Sequence, residues 1–206
     1  MLKFIKTDTF CIMPIINLDK KFFLRSADIV AKDLLGKIIA TNINNEITSG
    51  IIVETESYEG YDDPASHGYK GKTARNFPTF EEGGILYVYL IYGKYFLLNI
   101  VTSKKDFPSS VFIRAIEPVD GKDIMQKRRN VKICKNLTNG PAKLTTALGI
   151  NRDFNMLSIY NSEKIYIENR CDLKFEIVTT TRIGIRKGKE MLKRFYIKGN
   201  KWISAK

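Results

Sequence analysis

The stretch that most narrows the folds open to this chain is residues 47–58, where Ile47, Thr48, Ile51, Ile52, Val53 and Thr55 crowd β-branched side chains into one run. Such side chains suit a pleated, half-buried surface, and a strand of this length obliges the chain to build a sheet around it. Residues 37–41 and a polar turn at 42–46 supply the first partner, as a hairpin. A second hairpin follows at 86–92 and 95–101, two apolar, aromatic runs around Gly93, which can take a positive φ at a tight turn. Residues 111–116, ended by Glu117-Pro118, are a further strand, and 164–168, 175–183 and 195–203 read as more. Three helices are expected beside them. Ser26 is placed to cap one through Ile29, Val30, Leu34 and Leu35 that Gly36 ends. Asp120 is placed to cap a basic one reaching Asn130, and Asn139-Gly140-Pro141 opens one that stops near Gly149. With no repeat, low-complexity tract or linker, the expectation is one α+β domain over residues 1–206, an antiparallel or mixed sheet flanked by helices. Residues 59–82, rich in Gly, Asp, Lys and Pro, form a long loop that we read as functional.

Charge narrows the partner. Lys and Arg number 34 against 22 Asp and Glu, a formal net charge of +12, which favours a polyanion, nucleic acid ahead of an anionic membrane surface. No apolar stretch approaches the roughly 18 residues of a membrane span, and the run at 10–16 is broken by Pro14 and lacks a small-residue cleavage site. An intracellular protein is expected, with no membrane partner. Cys11, Cys134 and Cys171 are odd in number and far apart, which fits reduced thiols. His67 is the sole histidine, and neither a CxxC nor an HExxH spacing occurs, so no metal site is expected.

The long strand ends in acids, against the basic balance of the chain. Period-two alternation puts Ile52, Glu54, Glu56 and Tyr58 on one face, and Glu59, Asp62 and Asp63 follow closely. Carboxylates repel phosphates. One kept inside a polyanion-binding surface either activates water or stabilises a cationic transition state; the alternative is a strand end with solvated acids. In the second hairpin Tyr87 and Tyr89 share a face, while Tyr92 sits at the tip, where it either wedges between bases or packs back on its own sheet. Arg114, inside an apolar strand, needs a carboxylate or phosphate, and Glu54 or Glu56 can serve, as a structural ion pair or as part of a site. Asn99, among apolar neighbours, bonds either backbone or a base edge. Basic residues recur at Lys70, Lys72 and Arg75, at Lys127, Arg128 and Arg129, and through 182–194. Solvated faces account for most, and a few suffice for salt-sensitive DNA affinity. The helix start at Asn139-Gly140-Pro141, with Lys143, can seat a phosphate on free amides.

In order along the chain, Val53-Glu54-Thr55-Glu56-Ser57-Tyr58, Asp63-Pro64-Ala65-Ser66-His67, Arg75-Asn76, Leu86-Tyr87-Val88-Tyr89, Ile91-Tyr92-Gly93, Arg114-Ala115-Ile116-Glu117-Pro118 and Asn139-Gly140-Pro141-Ala142-Lys143-Leu144 strongly resemble the alkyladenine (3-methyladenine) DNA glycosylase family. The matches run in family order between Ser26 and Trp202, and several independent motifs at workable spacing make the signal specific. The resemblance implies a role for each position. Glu56 matches the general base that activates water, and Arg114 the residue that helps hold that water and the flipped nucleotide. Tyr58, His67 and Tyr89 match the walls of the base pocket, Asn99 the side chain that screens the purine edge, and Tyr92 the wedge that fills the gap in the duplex. Arg75, Lys94, Gly140 and Lys143 are expected at the DNA backbone. It also implies a curved, largely antiparallel sheet with a protruding hairpin that intercalates into DNA. The chain departs from the family at Ala74, Thr79, Glu81-Glu82 and Lys94, positions expected to leave base and wedge untouched. Leu192-Lys193-Arg194 lacks the family's Pro-Trp.

The implied activity is monofunctional hydrolysis in base excision repair. Double-stranded DNA carrying damaged purines is bound by a monomer without a cofactor, in the bacterial cytoplasm or nucleoid, or in a eukaryotic nucleus. The target base (3-methyladenine, 7-methylguanine, and by extension hypoxanthine or ethenoadenine) leaves the stack, and water released onto the sugar leaves an abasic site in an intact strand. Two other classes remain open from sequence: a non-catalytic binder of distorted or single-stranded nucleic acid, and a glycosidase or transferase acting on RNA.

Overall fold

A computed structural model describes residues 18–132, 136–169 and 174–204. All three cysteines, with the expectation that they are free thiols, and the run at 10–16 lie outside the described residues. The elements run α1 (Lys20–Phe23), α2 (Ala27–Asp33), β1 (Ile38–Ile43), β2 (Glu46–Glu59), β3 (Leu86–Ile91), β4 (Tyr95–Val101) and β5 (Ser109–Pro118). They continue with α3 (Lys122–Arg129), α4 (Pro141–Leu148), β6 (Ile165–Glu168), β7 (Ile177–Thr180) and β8 (Arg194–Ile197), with short 3-10 turns at Phe77–Phe80 and Arg152–Phe154. The expected α+β class holds.

β2 organises the sheet. Its first half pairs with β1 and its second half with β8, while β5 runs along the other side of both halves. The change of partner coincides with a register irregularity against β5 between Ile52 and Thr55, the kind of local disruption that bends a strand and increases its twist. The order β3-β4-β5-β2-β1-β6, with β7 and β8 joined through β2, is antiparallel at every described pairing and curls into a half-barrel. The first hairpin turns tighter than expected: Ile43 faces Glu46 directly, and only Asn44 (φ +54°) and Asn45 (φ +65°) lie between them. Asparagine tolerates the left-handed conformation that a two-residue type I′ turn demands at both positions, so the strands reach further into the polar segment.

Alternation along these strands divides the sheet into two unlike faces. One carries Val53 from β2, Leu86 and Val88, Leu98 and Ile100, and Val111, Ile113 and Ala115. It packs on α2, whose Ala31 carbonyl accepts from Thr55 Oγ1, while Leu144, Ala147 and Leu148 of α4 belong to the same buried cluster. At roughly 1.5–3 kcal/mol for each fully buried aliphatic side chain, this core supplies most of the driving force. The other face carries Glu56 opposite Phe112, Phe112 opposite Asn99, and Asn99 opposite Tyr87, with Tyr89 opposite Leu97. A one-residue slip anywhere would exchange the two sets, so the apolar core fixes the register that assembles the polar face.

Two expected caps are made differently. Ser26 occupies the N-cap of α2 without a side-chain bond; the Ala27 amide donates instead to Glu59 Oε1 at 3.0 Å. Asp120 accepts from Ser49 Oγ at 2.6 Å, and α3 starts from Gly121 at φ +67°, where a Cβ would meet the Ile47 carbonyl oxygen at 2.4 Å. The tertiary partner outcompetes the local one in both cases. α4 begins at Pro141 and ends on Gly149 (φ +71°), as its flanking residues predict. Among the described residues no helix is long and apolar enough to cross a membrane.

Candidate active site

Glu56 is fully buried, and two hydrogen-bond donors and one ion pair hold its carboxylate. The Ile183 amide donates to Oε1 at 2.8 Å, Arg114 Nη1 lies 3.1 Å from the same oxygen, and the Tyr58 hydroxyl donates to Oε2 at 2.8 Å. Tyr58 reaches back because residues two apart on a strand share a face. A carboxylate offers about four lone-pair sites, so one on Oε2 has no donor among the described residues. Arg114 is buried, and its Nε donates to Glu54 Oε1 at 3.2 Å. The question left by sequence, which acid pairs with Arg114, resolves to both.

Next to the residues that hold this carboxylate lies a pocket of about 390 Å³, within the range of about 300–1,000 Å³ usual for small-ligand sites. Three of its walls, Tyr58, Arg114 and Ile183, are the residues that hold Glu56, which itself lies behind them. His67, Tyr87, Tyr89, Asn99 and Phe112 complete the aromatic and polar lining. The Tyr87 and Tyr89 rings stack with centroids 4.9 Å apart, and His67 meets Tyr89 edge-on at 4.9 Å. His67 Nδ1 and the Tyr87 hydroxyl are 3.0 Å apart. Burial, helped by the Arg75 charge, lowers the His67 pKa and keeps the ring neutral. Burial pushes Tyr87 up to about 12 and raises Tyr58 and Tyr89 further still, so all three phenols keep their protons. The Asn99 amide donates to the Tyr87 carbonyl at 3.4 Å, so it bonds backbone and lines the pocket at once.

The remaining expected positions are distributed around the rim. Tyr92 is 88% exposed at φ +52°, which excludes packing back on the sheet; with Gly93 at φ +64° it forms a turn closed by the Lys94 amide donating to the Ile91 carbonyl at 3.2 Å. A bulky side chain in the left-handed region costs about 1–2 kcal/mol, and this one gains no burial in return. Arg75 lies exposed over the Tyr89 ring at 5.5 Å, and Lys94 over Tyr95 at 5.4 Å on the hairpin turn. Gly140 caps α4, whose first residue Pro141 lines the pocket, and Lys143 donates to Asn139 Oδ1 at 2.9 Å. Burial, with Arg129 nearby, lowers the Lys143 pKa. Among the described residues, no three metal-ligating side chains gather.

The family description methylpurine-DNA glycosylase matches residues 21–201. The chain belongs to the methylpurine-DNA glycosylase family. A relative from Clostridium botulinum (strain Alaska E43) is 46% identical over 201 residues, 92% of this chain and 99% of its own. One from Clostridium acetobutylicum is 42% identical over 201 residues, 92% and 98% of the two chains, and one from Natranaerobius thermophilus is 42% identical over 195 residues, 91% and 98%. All three are provisionally named 3-methyladenine DNA glycosylase. As a member of this family the chain is a DNA glycosylase, hydrolysing the N-glycosidic bond of DNA in repair, which sets aside the reading as a binder without catalysis.

Sequence reasoning missed several residues in and around the pocket. Arg182 reads as one more cation of a solvated run, yet it is buried and holds Asp63 through both terminal nitrogens. Arg194, in the segment where the family pattern lapses, is buried and donates to Glu54 Oε1 at 2.7 Å. Nothing local separates a buried arginine from an exposed one. Phe112 was recoverable, since alternation places it beside Arg114 on the same face of β5. The departures from the family pattern also lie closer than expected. Thr79 lines the pocket, its hydroxyl bonded to the Asn76 carbonyl at 2.8 Å, and Lys94 closes the turn that carries Tyr92.

Proposed function

We propose that this glycosylase removes 3-methyladenine and related alkylated purines from duplex DNA, acting as a monomer, with Glu56 as the general base. The observation that carries this reading is a fully buried, triply held carboxylate whose three partners are themselves walls of an aromatic pocket. Flipping a base out of the stack costs a few kcal/mol, less for a weakly paired lesion. Contacts with Tyr58, His67 and Tyr89 return about 1–3 kcal/mol per stacked face. A positively charged N-methylated purine gains more from electron-rich rings, and a neutral His67 does not repel it. Its charge also makes it the better leaving group, so binding and reactivity select the same bases.

As the glycosidic bond lengthens, the sugar gains oxocarbenium character. Ionised Glu56 stabilises that charge, and the free lone-pair site on Oε2 takes a proton from the attacking water. Arg114 and Tyr58 keep the carboxylate aimed. Tyr92 enters the minor groove and fills the gap left in the duplex, while Arg75, Lys94, Gly140 and Lys143 meet the backbone phosphates. The product is an abasic site in an intact strand, without a covalent adduct.

Single-turnover release of free base tests this directly, from duplexes carrying 3-methyladenine, 7-methylguanine or hypoxanthine. The wild type should release base from the alkylated duplexes, and Glu56→Gln should be slower by about 10²-fold or more while still binding the lesion. Undiminished release by Glu56→Gln, or a borohydride-trapped adduct with the wild type, would contradict the mechanism.

A further inference from the structure

We propose that Glu54 is a positioning residue for base excision: by sharing Arg114 with Glu56, and by drawing Arg194 to itself, it keeps the catalytic carboxylate from being neutralised by two guanidiniums. The proposal rests on the reading of Glu56 as general base.

Glu54 is fully buried and accepts four hydrogen bonds. Arg114 Nε donates to its Oε1 at 3.2 Å, Arg194 Nε at 2.7 Å and the Ser204 hydroxyl at 2.9 Å, while the Ser204 amide donates to Oε2 at 2.5 Å. Arg114 in turn is divided three ways: Nε to Glu54, Nη1 to Glu56 at 3.1 Å, and Nη2 to Ser204 Oγ at 3.3 Å. Arg194 stands opposite Glu56 in the β2–β8 register, yet its Nε donates to Glu54. Two carboxylates and two guanidiniums thus lie together in the interior, with Glu54 accepting from both guanidiniums and Glu56 paired with one.

The other groups that face Glu56 are paired or neutral. Arg182 lies over the Tyr58 ring at 4.6 Å and is paired with Asp63, Tyr58 donates to Glu56 itself, and the Tyr89 phenol stays protonated on β3. Arg114 pairs with Glu56 and Arg194, which also covers the Tyr196 ring at 5.0 Å, stands opposite it in register, so theirs is the positive charge whose effect on Glu56 changes if Glu54 loses its own. A carboxylate clasped by both would remain ionised but accept a proton poorly, because a base is weakened by the charges that stabilise its ionised form. A purely structural Glu54 would need only its shape, which glutamine retains.

The test follows single-turnover base release across pH for full-length wild type, Glu54→Gln, Arg194→Gln and Glu56→Gln, with lesion-DNA binding measured separately. The acidic limb of such a profile reports protonation of the essential base in the bound complex. For Glu54→Gln the plateau rate should fall about tenfold with affinity held within about threefold, and the acidic limb should move to lower pH. For Arg194→Gln the limb should move the opposite way, to higher pH, because a cation has been removed. Shifts of opposite sign are not produced by loosened packing. If both variants fold and their limbs stay with the wild type, the proposal is wrong. Should Glu54→Gln fail to fold, Arg194→Gln decides alone: a raised limb supports the proposal and an unmoved one overturns it. Full release by Glu56→Gln would instead remove the base assignment on which the proposal stands, a distinct failure.

Discussion

Arg182 grips Asp63 through both terminal nitrogens, at 2.5 and 2.7 Å, across 119 residues of chain. The same guanidinium donates to the Ser57 carbonyl at 3.0 Å and covers the Tyr58 ring. Its position delivers the next residue, so that the Ile183 amide points at Glu56. Asp63 is itself shaped by the loop, accepting from the Ala65 amide at 3.0 Å. The pair joins the long loop after β2 to the segment before β8 and closes the site from behind.

Breaking that pair should cost both stability and activity. Asp63→Leu strands a buried guanidinium, and a loss of about 3–5 kcal/mol in unfolding free energy is expected from denaturant titration. The double variant Asp63→Leu/Arg182→Met should recover much of that loss, since two apolar side chains need no partner. It should still release base slowly, because nothing then holds the Ile183 amide on Glu56. A double variant as unstable as the single one would show that the pair's contribution is not chiefly electrostatic.

At Tyr92 stability and function should part company. The side chain is 88% exposed in the left-handed region, so Tyr92→Gly relieves strain and loses no burial. The unfolding free energy should hold or rise by up to about 1 kcal/mol. Excision from duplex DNA should drop at the same time, with a smaller effect on single-stranded substrate, where there is no gap to fill. Equal losses on both substrates would argue against the wedge.

His67 makes stability depend on pH with a definite sign. Its folded-state pKa lies below the ordinary value of about 6.5, first through burial and then through Arg75. Below that value the unfolded chain takes up a proton that the folded chain refuses. The contribution is therefore intact above about pH 6.5 and is lost progressively as pH falls towards the depressed value. The drop in melting temperature from about pH 7.5 to about pH 5.5 should accordingly be smaller for His67→Gln than for the wild type. An identical drop would mean that other groups carry the whole effect.

Phosphate contacts should register in salt dependence. If Lys94 meets a phosphate, Lys94→Gln lowers the slope of log affinity against log salt by about one, whatever the sequence around the lesion. Arg75→Gln should do likewise and, because Arg75 also depresses His67, should raise the pH at which His67 takes its proton. An unchanged slope in either variant would place that residue off the backbone path.

Much of the fold was legible because it is encoded locally. Alternation assigned Ile52, Glu54, Glu56 and Tyr58 to one face, which holds for Glu56 and Tyr58 while the register irregularity interrupts it between Ile52 and Thr55; Gly93 marked the second hairpin, and Pro141 and Gly149 bounded α4. Where local signals failed, a distant group had replaced a neighbour: Glu59 reaches the Ala27 amide in place of Ser26, and Ser49 claims Asp120. The acids that looked anomalous on a basic chain divide accordingly. Glu59 caps a helix, Asp63 holds Arg182, Glu54 gathers Arg114 and Arg194, and Glu56 faces the pocket wall.

By itself the sequence determined most of the strands, the ends of α4 and the residues that mark the family, because side-chain periodicity and backbone preference act over a few residues. Only the tertiary structure decided which carboxylate meets which guanidinium, since Arg194 lies 140 residues from Glu54 and Arg182 lies 119 from Asp63. Ion pairs are chosen by proximity and shared burial after the sheet has curled, and no spacing rule along the chain carries that information.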